Sequence, residues 1–142
     1  MTDEQRSMLS SALRHARDAE ILLAENAFDG AWHLAGFAQE CARKVGLSEG
    51  WSQKLLGHGV GDDAEGALEL LLGMDGRAAR LRLEGWGGQG TLLAQWTPEV
   101  RYAPTGTIPP DDARDLTAQA RDRVDAVAQS LWCNGLVDSL EL

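Results

Sequence analysis

Asp29-Gly-Ala-Trp-His-Leu-Ala-Gly-Phe-Ala-Gln-Glu-Cys-Ala-Arg-Lys-Val-Gly-Leu47 is the stretch on which the fold turns. Ala31, Leu34, Ala35, Ala38, Ala42 and Val45 recur at steps of three and four, the period of a helix that buries one stripe. Trp32, Phe37 and Cys41 widen that stripe, so neighbours are expected on more than one side. Asp29 is placed to cap the start of the helix, and Arg43 and Lys44 occupy the last turn before Gly46, where cations complement the helix dipole. The polar residues left inside are His33, Gln39 and Glu40. They are the first candidates for function, and Gly36 is a thin point where another helix can approach.

Working outward, Thr2-Asp3-Glu4-Gln5 has capping-box spacing. It opens a helix to about Glu25 whose apolar face is Leu9, Ala12, Leu13, Ala16, Ala19, Leu22 and Leu23. The short link Asn26–Phe28 makes this helix antiparallel to the central one. Beyond Gly46 the chain is broken. A short piece carries Trp51, and Gly57-His58-Gly59-Val60-Gly61 is too rich in glycine to be helical. A third helix starts at Asp62 and ends at Gly73, and Asp75–Leu83 carries Arg77, Arg80 and Arg82. This is the most basic local cluster, although Asp75 and Glu84 can pair with it. An irregular region with Gly85–Gly90 and four prolines, read as a connector, leads to a last helix, Asp111–Trp132. Its buried face is Ala113, Leu116, Ala120, Val124, Val127, Ala128 and Leu131. Only Val60, Leu83 and Thr91–Leu93 leave room for a short strand. The expectation is all-α: an up-and-down bundle of four to five helices with a long loop before the last, one domain over 1–135, and a loose tail over 136–142.

The 142 residues suffice for one core. A formal net charge of −9 opposes sequence-independent attraction to phosphate backbones, so any nucleic-acid site must be local. No apolar run approaches the roughly 20 residues needed to span a bilayer, and Asp3 and Glu4 do not fit a signal peptide; a cytoplasmic protein without membrane contact is expected. The two cysteines, Cys41 and Cys133, are read as buried thiols, with neither a disulfide framework nor a metal site. His15, His33 and His58 lack acidic or Cys partners at metal-ligand intervals. No metal and no cofactor are expected.

Glu40 and Lys44 lie four apart on one helix face, which is either a surface ion pair or part of a site. In a bundle, Glu40 would project toward the loops and orient Arg101 by a two-pronged contact, leaving His58 for proton transfer or phosphate contact. The structural alternative is that Trp96, Glu99, Arg101 and Tyr102 lock the long loop onto the bundle, with Glu40 as the partner of Arg101.

Three segments carry a family resemblance. Leu34-Ala35-Gly36-Phe37-Ala38-Gln39-Glu40-Cys41-Ala42-Arg43-Lys44 resembles the second-helix signature of HEPN domains, in the branch reading Leu-Ala-Gly-aromatic-Ala-x-Glu-Cys-x-x-Lys. Gly57-His58-Gly59-Val60 falls where that branch has His-Asp-Leu, and Trp96-Thr97-Pro98-Glu99-Val100-Arg101-Tyr102 resembles its Trp-x-Pro-Glu-x-Arg-Tyr segment. The three occur in order across about residues 7–132. The resemblance implies a small helical bundle, commonly dimeric, of the kind found in toxin–antitoxin and phage-defence systems and beside minimal nucleotidyltransferases. Many such domains are metal-independent ribonucleases whose motif is Arg followed four to six residues later by His. Here Arg101 has no His downstream, and Gly59 stands where an acid follows the His.

The resemblance therefore implies a nucleotide- or RNA-associated module rather than the usual ribonuclease, with a homodimer, a nucleotidyltransferase or another defence protein as partner. On that basis Arg101, His58 and Glu40 are the candidate catalytic residues and Lys44 and Tyr102 candidate nucleotide- or RNA-binding ones, to which the basic cluster adds Arg77 and Arg80. Two other readings are an atypical metal-independent ribonuclease using Arg101 and His58, and a non-catalytic scaffold anchored through Trp51 or Trp86.

Overall fold

A computed structural model describes residues 1–46, 70, 73–74 and 91–137. His58, Arg77, Arg80, Trp51 and Trp86 lie outside the described residues, as do Val60, Leu83, Gly85–Gly90 and most of the expected middle helices. Within the described residues the chain is all-helical and forms a bundle of three long helices, with no strand. They are α1 (Asp3–Ala24), α2 (Phe28–Lys44) and α3 (Pro110–Cys133). Residues 70, 73 and 74 are also helical. Thr91–Leu93, where a strand had room to form, instead leads into a 3-10 turn over Leu93–Gln95; a second one spans Pro98–Tyr102.

The caps explain the hairpin. Thr2 Oγ1 accepts from the Gln5 backbone N–H at 3.2 Å while Gln5 Oε1 accepts from the Thr2 N–H at 2.9 Å. This is the expected reciprocal box. Gln5 also donates from Nε2 to the Val45 carbonyl at 3.0 Å, tying the start of α1 to the end of α2. At the other end of α1, Asn26 adopts a φ of 59°. Asparagine tolerates this left-handed conformation better than most residues. The Asn26 N–H then reaches the Leu23 carbonyl and the Ala27 N–H the Leu22 carbonyl, a Schellman ending that turns the chain straight into α2. Because this turn feeds directly into the helix, α2 starts at Phe28 and Asp29 is not its cap. The Asp29 carboxylate instead accepts from the backbone N–H groups of Gly106 at 2.7 Å and Ile108 at 2.9 Å, just before α3.

That clamp, together with Arg114 of α3 lying over the Phe28 ring, brings the starts of α2 and α3 together. Farther along, Arg123 donates to Gln39 Oε1, so α2 and α3 run in the same direction. The contact faces are built from small residues: Ala12, Ala16 and Ala19 on α1, Ala31, Ala35, Ala38 and Ala42 on α2, and Ala113, Ala120 and Ala128 on α3 are all buried. Small side chains let the helix axes come close. Leu9, Trp32, Leu93, Trp96, Leu116, Val124 and Leu131 fill the remaining volume.

The end of α3 repeats the Schellman pattern. Gly135 has a φ of 66°, and the Leu136 N–H is bonded to the Leu131 carbonyl at 2.9 Å. Packing continues through Leu136 and Val137, past the point where a loose tail was expected to begin. Cys133 is exposed and Cys41 half-buried, which corrects the reading of both as buried thiols.

Candidate functional site

The candidate face is organised by Gly36. A Cβ built there would stand 2.1 Å from Cε2 and Nε1 of Trp96, so the close approach the sequence anticipated for a helix is made by an indole ring. Trp96 follows the first 3-10 turn, is buried, and donates from Nε1 to the His33 carbonyl at 3.2 Å. Its ring meets Phe37 edge to face at 5.0 Å between centroids. The ring quadrupoles favour that geometry. With Leu93 buried beside it and Asp29 holding Gly106 and Ile108, residues 91–109 form a strap fixed at both ends.

The strap presents Arg101 and Tyr102. Both are exposed, Tyr102 by 76 %, and the Arg101 guanidinium carbon lies 4.9 Å from the Tyr102 ring centre. Pro98 opens the 3-10 turn that carries them, which suits a residue lacking an N–H to satisfy. Under the strap, α2 shows one stripe: His33, Phe37, Glu40, Cys41 and Lys44, spaced at three and four residues. Across the hairpin from it stands His15 of α1, its ring 5.9 Å from Phe37, while His33 is 4.8 Å from Phe37 and 6.2 Å from Trp96.

Glu40 is bonded to Lys44 at 2.6 Å, with side chains only 6 % and 11 % exposed, so this is a buried pair and not a surface one. The expected two-pronged contact of Glu40 with Arg101 is not made. Glu40 instead keeps Lys44, one turn along its own helix, while the Arg101 guanidinium lies over the Tyr102 ring on the strap. The structural alternative holds for Trp96, which does lock the strap, but not for Arg101 and Tyr102, which face outward.

Both histidines prefer the neutral form. Burial holds the His33 imidazole below its ordinary range, helped by the charge of Arg101 and then by His15. Burial also lowers His15, with Arg14 adding to the effect while Asp18 and Glu40 oppose it. His33 Nδ1 is buried without a hydrogen-bond partner. The face therefore combines a permanent cation, an exposed aromatic ring and two imidazoles able to take up protons.

His15 is the residue sequence reading passed over as a functional candidate. The hairpin itself contained the signal, because His15 and Phe37 stand equally far from the Asn26 turn and so must lie level. Among the described residues no group of three or more His, Cys, Asp or Glu side chains is arranged to hold a metal ion, and no helix is long and apolar enough to cross a membrane. The chain matches no family model, no curated protein and no solved structure. What the described residues define is a helical bundle carrying a strapped aromatic face with Arg101 exposed on it.

Proposed function

We propose that this chain is an RNA-binding regulatory module on a HEPN-like bundle of four to five helices. Its setting is a cytoplasmic toxin–antitoxin or phage-defence system, where it works as a homodimer or beside a nucleotidyltransferase or other defence protein. The observation that carries the binding function is the exposed Arg101–Tyr102 pair, held out from the bundle by the Trp96 lock. An aromatic ring offers a stacking surface to any base, and a guanidinium beside it can grip the adjoining phosphate by two parallel hydrogen bonds. Single-stranded RNA satisfies both groups at once. In a chain of net charge −9, such binding depends on this local cation rather than on a general basic field.

The order of the three motif segments supports the HEPN-like reading, and the missing His after Arg101 favours binding over the usual cleavage chemistry. The test is fluorescence anisotropy with a labelled ten-nucleotide uridine RNA. Binding by the wild type, reduced about tenfold or more by Arg101→Ala and by Tyr102→Ala, is the expected result, in line with the roughly 1–3 kcal/mol each stacked base contributes. Absence of binding, or binding indifferent to both substitutions, refutes the reading.

A further inference from the structure

The strap that presents Arg101 and Tyr102 is anchored on either side of them. Before the pair, Trp96 is buried against Gly36; after it, the Asp29 carboxylate of α2 holds the chain at Gly106 and Ile108. We propose that Asp29 is a positioning residue for the RNA site: its carboxylate does not meet RNA, and it sets affinity by keeping the Arg101–Tyr102 pair where a base and its phosphate can engage both groups. This rests on the reading of that pair as the RNA contact and adds the residue that fixes its aim.

The clamp is made of charge-assisted hydrogen bonds. Asp29 Oδ2 accepts from the Gly106 N–H at 2.7 Å and Oδ1 from the Ile108 N–H at 2.9 Å. Bonds of this kind are about twice as strong as those between neutral groups. Gly106 can turn its N–H inward because it takes a φ of 84°, a conformation that strains any residue with a side chain. Neighbouring N–H groups around such a residue make a nest for an anion, and the Asp29 carboxylate fills it. Residues 101–107 are all exposed, so after Val100 the next side chain packed on the core is Ile108, the second residue that Asp29 holds. The strap beyond Tyr102 is therefore placed by its backbone bonds to Asp29 and not by packing of its own side chains.

Two effects of opposite sign meet at Asp29, which makes the inference easy to refute. By charge alone, a carboxylate tied to a strap that binds phosphate repels the ligand, and removing it would tighten binding. By positioning, removing it weakens binding, because the strap and the two long side chains on it must then be ordered when RNA arrives. A group that touched phosphate would also change how steeply affinity falls with salt, since each phosphate neutralised in a single strand contributes about 0.7 to the slope of log K against log salt. Asp29 leaves that slope alone.

The test is anisotropy with the ten-nucleotide uridine RNA over a series of salt concentrations, on the full chain as wild type, Asp29→Asn, Gly106→Ala and the double variant, with circular dichroism to establish that each is folded. Gly106→Ala breaks the clamp from its other side without altering any charge, and since a Cβ there would meet nothing within 4 Å it acts through backbone strain alone. The expected result is affinity about tenfold weaker for each single variant, no further loss in the double, and the salt slope of the wild type throughout. Arg101→Ala, by contrast, should lower that slope by about 0.7. Binding by Asp29→Asn as tight as that of the wild type or tighter, losses that add in the double variant, or a slope that falls with Asp29→Asn overturns the inference and leaves the RNA reading intact. No binding by the wild type removes that reading and the inference with it.

Discussion

Replacing Gly36 by alanine should unlock the strap, and the size of the effect can be worked out from two opposing quantities. In the middle of a helix, glycine to alanine gains about 1 kcal/mol, because glycine loses more backbone freedom on folding. Against this, the new methyl group would stand 2.1 Å from two atoms of the Trp96 ring and 2.2 Å from a third, a separation no packing tolerates. The rigid indole must leave a site in which it is 1 % exposed, and give up its bond to the His33 carbonyl. Losing a buried tryptophan costs about 3–5 kcal/mol, so Gly36→Ala should lower stability by about 2–4 kcal/mol.

The assay is denaturant unfolding followed by far-ultraviolet circular dichroism, on the wild type, Gly36→Ala, Trp96→Ala and the double variant. Once Trp96 is gone the methyl group has nothing to meet, so in that background Gly36→Ala should be neutral or stabilising by up to about 1 kcal/mol. The cycle then closes on a coupling of about 3–5 kcal/mol between two residues far apart in sequence. A Gly36→Ala protein as stable as the wild type, or additive effects of the two substitutions, would show that Trp96 does not occupy the surface of α2 at Gly36.

Other consequences concern the polar contacts. Glu40→Ala leaves the Lys44 ammonium buried without its 2.6 Å partner. It should destabilise by about 3 kcal/mol, and the double variant Glu40→Ala, Lys44→Met should recover the part due to the unpaired ammonium in the same unfolding assay. Backbone donors at Gly106, then Ile108, hold the Asp29 carboxyl below its usual range. The folded chain therefore binds fewer protons there than the unfolded one; the stabilisation is complete above the ordinary carboxylate value of about 4 and is lost as pH falls through the lower folded-state value. Thermal melts of the wild type and Asp29→Asn between pH 7 and 2 should accordingly converge on acidification. Burial pushes the Cys41 thiol up to about 11 whereas Cys133 is exposed. Titration with a chromogenic disulfide at pH 8 should therefore show one fast thiol, abolished by Cys133→Ser, and a second only on unfolding.

The helices were legible because their signals are local. The Thr2–Gln5 box, the alternation of small and large apolar residues at helical spacing and the two Schellman endings all act within a few residues, and the expected buried face of α3 is buried in full. The arrangement around the strap was not legible, because where Arg101 and Tyr102 stand depends on how the strap sits, and that is set by the long-range contact of Trp96 with Gly36. Sequence spacing along α2 cannot reveal that Gly36 receives an indole ring from the strap rather than another helix. Likewise the Glu40–Lys44 spacing is the same for a surface pair and a buried one; the burial comes from tertiary packing. Asp29 shows the same limit, since its position in the first turn fits a cap, while its carboxylate serves the distant backbone of Gly106 and Ile108.

The Arg101–Tyr102 pair carries the proposed binding function, and one gel tests it. End-labelled mixed cellular RNA is incubated with the purified chain without metal, beside Arg101→Ala, Tyr102→Ala and His58→Ala, and run under native and denaturing conditions. The prediction is a retarded, uncleaved RNA with the wild type and His58→Ala, and little retardation with Arg101→Ala or Tyr102→Ala. RNA left free by the wild type would contradict a binding module; cleavage that disappears with Arg101→Ala and His58→Ala would contradict it in the other direction, by making the protein a ribonuclease.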